Sequence, residues 1–271
     1  MELSEDDLIT LLRARRILEN PGLAARLSNL IGTPIEAGIR SLPYSVQELI
    51  VSVTQRSLRA GLSAMIATMD PEPGRPADTQ TYSFASVLSG AASGFFGIVA
   101  LPVELPLTTL MMLRSIAEIA RSQGEDLARA EAQLACLEVL ALGGRSRADD
   151  AAEAGYYATR IGLARSITSA ANYISSHGFA RKMASPLAAF ISRVAARFSV
   201  TVTESMLAKA VPVIGAASGA TVNALFMRHF QDMAWAHFTV RRLERKYTPR
   251  LIQRRYEALA AQNPVPRALP A

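Results

Sequence analysis

SFASVLSGAASGFFGIVALPVELPLTTLMMLRSIAEIARSQGEDL, residues 83–127, decides how this chain folds. Residues 83–103 carry no ionisable side chain, and then Glu104 stands between Pro102 and Pro106. About twenty apolar residues are what a helix needs to cross a bilayer core, so length alone permits a span. The content argues otherwise. Ser86, Gly90 and Gly94 recur every fourth residue, which makes one helix face smooth enough for another backbone to approach. The same small residues dilute the hydrophobicity, so packing against another helix is the better reading. Proline removes a backbone donor and clashes with the preceding turn. The helix is therefore expected to break or kink at Pro102 and Pro106 and to restart near Leu107, carrying Met111, Met112, Ile116 and Ile119 inward. Arg114 and Glu118, four apart, form a candidate ion pair, and Gly124 a left-handed cap. Glu104 then reads as a polar group at a turn between packed helices, near Arg114 or His229.

The partner for this run lies further along, in VTESMLAKAVPVIGAASGATVNALFMRHFQDMAWAHFTVRRLERKY, residues 202–247. Between Lys209 and Arg228 this stretch is also free of ionisable groups, and Gly215, Gly219 and Asn223 repeat at the same spacing. Gly90 and Gly94 facing Gly215, Gly219 and Asn223 would bring two helix axes close together. Pro212 is expected to kink the second helix.

Composition supports helices throughout. The 271 residues are 50% hydrophobic but only 6% aromatic, and Ala, Leu, Ile, Val and nine methionines carry the apolar content. No strand-like alternation occurs. The expected fold is all-α, a single multi-helix bundle with two Gly-rich, closely packed central helices. The expected organisation is an N-terminal helical segment over residues 1–69, a flexible linker over 70–82 (rich in Pro), a helical core over 83–262 and a disordered tail over 263–271, one domain overall. Within it, Ser4 caps a first helix with Asp7 at its third position, a short element covers residues 23–30, and Pro43 opens a helix to about Met69. Asp126 is expected to cap the helix that ends at Gly143 and Gly144. Further helices run from about Ala151 through Ile167, with Ile174 as the furthest end, and from Pro186, with a transition at residues 198–202.

The net charge is +6, and the basic excess gathers late: Arg228, Arg241, Arg242, Arg245, Lys246, Arg250, Arg254 and Arg255. A solvated helical face explains such a run most simply. Anionic lipid headgroups are the functional alternative, with Arg241, Arg242, Arg245 and Lys246 as contacts to lipid or to a protein partner. Nucleic acid is not expected as a partner, because no zinc-finger spacing, aromatic RNA-binding pattern or basic zipper accompanies the charge. The single cysteine, Cys136, rules out an internal disulfide framework and Cys-based zinc, and no basic neighbour activates it. The opening MELSEDDLIT is acidic and lacks an export signal, so a cytoplasmic protein is expected, at or near the inner membrane face.

Several stretches together resemble the EcsC protein family: ELPLTTLMMLRSIAEIARSQGEDL at residues 104–127, CLEVLALGG at 136–144, AGYYATR at 154–160, VPVIGAASGATVN at 211–223 and HFQDMAWAHFTVRRLER at 229–245. The resemblance covers about residues 33–256. It implies a bacterial helical protein without an established biochemical activity, from a family named for a protein encoded beside an ABC-transporter pair. Relatives are expected to carry Asp where this chain has Glu104.

Catalytic signatures are sparse. No HExxH, P-loop, GxSxG or kinase motif occurs. His229 and Asp232 share a helix face, whereas His237 lies two turns on, about 12 Å along the axis. Glu104, His229 and Asp232 could form a metal site for a hydrolase if the two Gly-rich helices cross. Hydrogen bonding to neighbours is the plainer reading of each, and no cofactor is expected. Two functions remain: a peripheral membrane-associated or partner-binding protein, and a metal-dependent hydrolase.

Overall fold

The computed structural model describes residues 3–19, 23–31, 35–68, 79–82, 101–143, 155–177, 185–210 and 216–262. Among them are ten helices and no strand: α1 Glu5–Leu18, α2 Leu23–Ile31, α3 Ile35–Ser41, α4 Tyr44–Thr68, α5 Leu101–Ser122, α6 Ala130–Leu142, α7 Tyr156–His177, α8 Ser185–Ala210, α9 Ala216–Lys246 and α10 Pro249–Gln262. The protein is all-α, as its composition implies.

Local chemistry accounts for most of the boundaries. The Ser4 hydroxyl accepts the Asp7 amide at 3.3 Å, and Glu5, Asp6 and Asp7 place negative charge in the first turn of α1, where the helix dipole favours it. The Pro43 carbonyl accepts the first amides of α4, from Val46 and Gln47. Gly124 ends the turn after α5 with φ of 82°, a left-handed conformation that suits glycine.

Four local expectations are corrected. α5 does not restart near Leu107: it is already helical at Leu101, where the described residues resume, and runs through both prolines, so Glu104 lies within it. Pro106 lies inside the helix and forgoes one backbone bond. Arg114 does not pair with Glu118: Arg114 donates to the Thr68 hydroxyl on α4, and Glu118 pairs with Arg121 three residues on. Asp126 does not cap α6, which starts at Ala130 without a side-chain cap; Asp126 accepts the Ala128 amide at 3.0 Å in the loop before it. Residues 198–202 form no transition, because α8 passes through them with Phe198 and Val202 buried.

The centre of the bundle is α6. Its residues from Leu134 to Ala141 are all buried, as expected of a helix that is apolar on every side. α5 and α9 pack against it from one direction, α7 and α8 from another. α4 lies along α5, and α1 lies on α9. Gly90, Gly94 and Gly215 of the expected close crossing fall outside the described residues, as does most of the expected linker and the expected tail. Gly219 and Asn223 are buried on α9. One smooth contact that does appear is at Gly61 of α4, where an added Cβ would lie 2.8 Å from Leu113 Cδ1 of α5. No helix among the described residues is long and apolar enough to cross a membrane.

Candidate functional site

Glu104, His229 and Asp232 do not assemble into a metal site, and among the described residues no group of three His, Cys, Asp or Glu side chains could hold a metal. The reason is helical geometry. Glu104 faces α8 and the start of α9, pairing with Lys209 and accepting Asn223 Nδ2 at 3.2 Å. Asn223 and His229 are six residues apart on α9, about 9 Å along the axis and about 240° around it, so they face different neighbours. His229 Nε2 lies 2.9 Å from the Gly143 carbonyl. A carbonyl only accepts, so Nε2 carries the proton and is committed to that bond. Burial, offset in part by the Gly143 bond, pushes the His229 pKa down to about 4, and the ring stays neutral.

The Glu104–Lys209 pair sits in a pocket of about 30 Å³ walled by Leu101, Leu105, Val202, Met206 and Phe226, room for about one water. Cys136 is a core thiol whose pKa burial pushes well up. Of the C-terminal cations, Arg241 and Arg245 turn inward onto Glu125, and Lys246 reaches Asp7 at 2.6 Å, while Arg242 stays exposed.

The polar heart of the protein lies elsewhere, where α6, α7 and α9 meet. Tyr156 Oη is 3.0 Å from His237 Nδ1, and His237 Nε2 is 3.6 Å from Glu138 Oε2, too far for a hydrogen bond. His237 Nε2 has no other partner among the described residues. Beside this trio, Arg160 Nη1 and Nη2 donate to both oxygens of Glu244 at 2.8 and 3.1 Å, and the Tyr157 hydroxyl donates to Glu244 at 3.1 Å. Next along α9, Arg241 forks onto Glu125 at 2.8 and 2.9 Å, joined there by Arg245.

Outside, this network opens into a charged cleft of about 340 Å³ between the α5–α6 loop and the end of α9, with Arg241 and Glu244 on its inner wall. Burial drives the Glu138 pKa up, opposed by Arg160 and Arg241, and drives the His237 pKa well down. For Glu125, burial acts to raise the pKa, but the hydrogen bond from Arg241 and the charges of Arg241 and Arg245 prevail and hold it low. Clusters of perturbed groups of this kind mark functional sites as well as structural networks.

Residues 11–243 match the family model described as the EcsC protein family. The chain belongs to the EcsC protein family. No curated protein and no solved structure matches it. The EcsC match begins inside α1, earlier than the resemblance of individual stretches implies, and takes in Glu125, Glu138, Tyr156, Arg160, His237 and Arg241. Glu244 and Arg245 follow immediately after it. Sequence reasoning singled out Arg241, as a lipid or partner contact, and set His237 apart from His229 and Asp232; it did not mark Glu125, Glu138, Tyr156, Arg160 or Glu244 as site residues. A signal for Glu138 was present: it is the one charged residue in the run QLACLEVLALGG, residues 133–144 of this EcsC chain.

Glu138 gives a clear pH signature. Its pKa is raised on folding, so its contribution is fully present below the ordinary carboxylate range and is lost as pH rises towards the folded value. The slope over that window is about 1.4 kcal/mol per pH unit. The two depressed histidines act in the opposite sense, removing stability as pH falls below about 6.5. Urea midpoints of Glu138→Gln should therefore lack the stability loss that the wild type takes on as pH rises above the ordinary carboxylate range; parallel pH profiles for the two proteins would show that Glu138 is not held neutral.

Proposed function

We propose that this EcsC-family protein works as a peripheral protein that docks on an anionic membrane surface through the face formed by the end of α9 and the outside of α10. The observation that carries this reading is where the charge sits. Between Arg241 and Glu257 the chain has seven basic residues and two acidic ones, so this short stretch holds five of the six net positive charges. Arg241, Arg245 and Lys246 are paired within the fold, but Arg242, Arg250, Arg254 and Arg255 are exposed.

On α10, Ile252, Tyr256 and Leu259 are buried. At about 100° per residue, Arg250 and Arg254 lie at the centre of the opposite, outward face. Juxtamembrane Lys and Arg contribute about 1 kcal/mol each near an anionic surface, screened within a Debye length. The contact surface therefore comprises Arg242, Arg250, Arg254 and Arg255, with Lys246 at its edge.

Cosedimentation with phosphatidylglycerol vesicles tests the reading. Binding is expected at low salt, should weaken as salt rises, and should be absent on phosphatidylcholine. Each of Arg242→Gln, Arg250→Gln and Arg254→Gln should weaken it about fivefold. Protein that stays in the supernatant with phosphatidylglycerol at low salt would overturn the proposal.

A further inference from the structure

The charged cleft beside the α5–α6 loop is a second site, distinct from the α10 face, and we infer that it takes a small zwitterion: a ligand with an ammonium group a few atoms from a phosphate or carboxylate. The argument begins with which of its charges are already matched. Glu244 is held by Arg160 and by the Tyr157 hydroxyl. Arg129 and Glu131 face each other at 3.7 Å at the mouth and offset one another.

Two groups remain unbalanced. Arg241 and Arg245 share the one carboxylate of Glu125, so that wall keeps one positive charge. Arg241 spends Nε and Nη2 on Glu125, and its Nη1 takes part in neither bond. On the loop wall Asp126 is exposed, accepts one backbone amide and enters no ion pair among the described residues, which leaves one negative charge.

Backbone geometry ties the two walls to each other and fixes their relation. Gly124, at φ 82°, lets the Arg245 guanidinium pass close to the loop, 3.7 Å from where a Cβ would stand, and Arg245 Nη2 donates to the Gln123 carbonyl at 2.7 Å. Arg245 is thereby held in place although its side chain is 43% exposed. The volume of about 340 Å³ lies in the range of small-ligand sites. A simple anion would meet the guanidiniums but also Asp126, and a simple cation the reverse. A dipolar ligand satisfies both walls, its anionic end on Arg241 and Arg245 and its ammonium on Asp126.

Such a group exists both as a free aminophosphate or amino acid and as an aminophospholipid headgroup, and the experiment separates these sources. Isothermal titration of the full chain with O-phosphoethanolamine and with β-alanine should show binding by at least one. Inorganic phosphate and ethylamine, each carrying one half of the pair, should bind about tenfold or more weakly. Asp126→Asn alters an exposed side chain and should reduce zwitterion affinity about tenfold while leaving thermal unfolding unchanged; Arg245→Gln should weaken zwitterion binding by a similar factor.

Binding of the soluble zwitterions supports a free ligand. Binding seen only as Asp126-dependent recruitment to phosphatidylethanolamine vesicles supports the headgroup. Phosphate binding as tightly as O-phosphoethanolamine, an Asp126→Asn protein with undiminished affinity, or no response to any zwitterion at about 10 mM or to the vesicles each overturns the site. The result is independent of the α10 face, because Arg242→Gln and Arg254→Gln are expected to leave soluble zwitterion binding intact.

Discussion

Arg160→Ala is expected to lower the unfolding free energy by about 3–5 kcal/mol, the range for breaking a buried ion pair by removing one partner. The guanidinium forks onto both oxygens of Glu244, and its carbon stands 5.3 and 5.6 Å from the ring centres of Tyr156 and Tyr157. Removing it leaves Glu244 with only the Tyr157 hydroxyl among these contacts, in a place reached by little water. The positive charge that partly offsets burial at Glu138 is lost as well. Arg160→Lys restores a charge without the planar fork, so it should recover only part of the loss. Denaturant midpoints at unchanged m-value measure both. A loss below about 1 kcal/mol for the alanine variant would place this pair with ordinary surface ion pairs and refute a structural role for the network.

Phe230→Ala should have an effect of similar size, by a different route. Phe230 is fully buried and meets Phe198, Phe226 and His229 edge to face, at centroid distances of 5.4, 5.2 and 5.0 Å. The backbone of α6 closes on the same ring: a Cβ at Gly143 would overlap Phe230 and lie 3.0 Å from His229 Nε2. Truncation of a buried Phe costs about 3–5 kcal/mol through lost transfer energy and the cavity left behind. There is a second readout. The His229 pKa, pushed down to about 4 chiefly by burial, should rise towards its ordinary 6.5 as the emptied space admits water. An NMR titration in which His229 stays near 4 while stability is lost would separate packing from desolvation and contradict the shared-cavity picture.

The fold class was legible from composition, and so were α1, α2 and α4, because caps, prolines and apolar spacing act over a few residues. What failed was the reading of residues whose effect depends on position within an element or on a distant partner. Pro102 and Pro106 look like breakers, yet α5 runs through both, and the buried contacts of Leu105, Thr108 and Thr109 around Pro106 outweigh the one bond that it forgoes. Residues 198–202, Phe-Ser-Val-Thr-Val, suggest an interruption, but α8 continues because Phe198 stacks on Phe226 and Val202 is buried, and packing outweighs a weak propensity. The candidate site was half visible. Arg241 stood out in the basic run, but nothing local says that it will meet Glu125, 116 positions away, which reads locally as a helix-terminus residue. Glu104, conspicuous between two prolines, drew attention that the isolated Glu138 merited more.

The clasp between α1 and the end of α9 with α10 bears on how the chain comes to fold at all. Ser4 and Asp7 meet Tyr247 and Lys246, Arg15 donates to the Leu259 carbonyl at 3.2 Å, and Tyr256 donates to Glu19 at 2.8 Å, across sequence separations of 237 to 244 residues. At about 5–20 residues per second of synthesis, α1 waits on the order of tens of seconds before its partners emerge. Throughout that wait Leu11, Ala14 and Leu18 have nothing of their own to cover them. A helical protein would ordinarily close quickly through neighbouring contacts, whereas this one completes its first helix last. Ribosome-bound chains halted before Ala216 should thus leave α1 open to proteases and to chaperones that shield apolar segments.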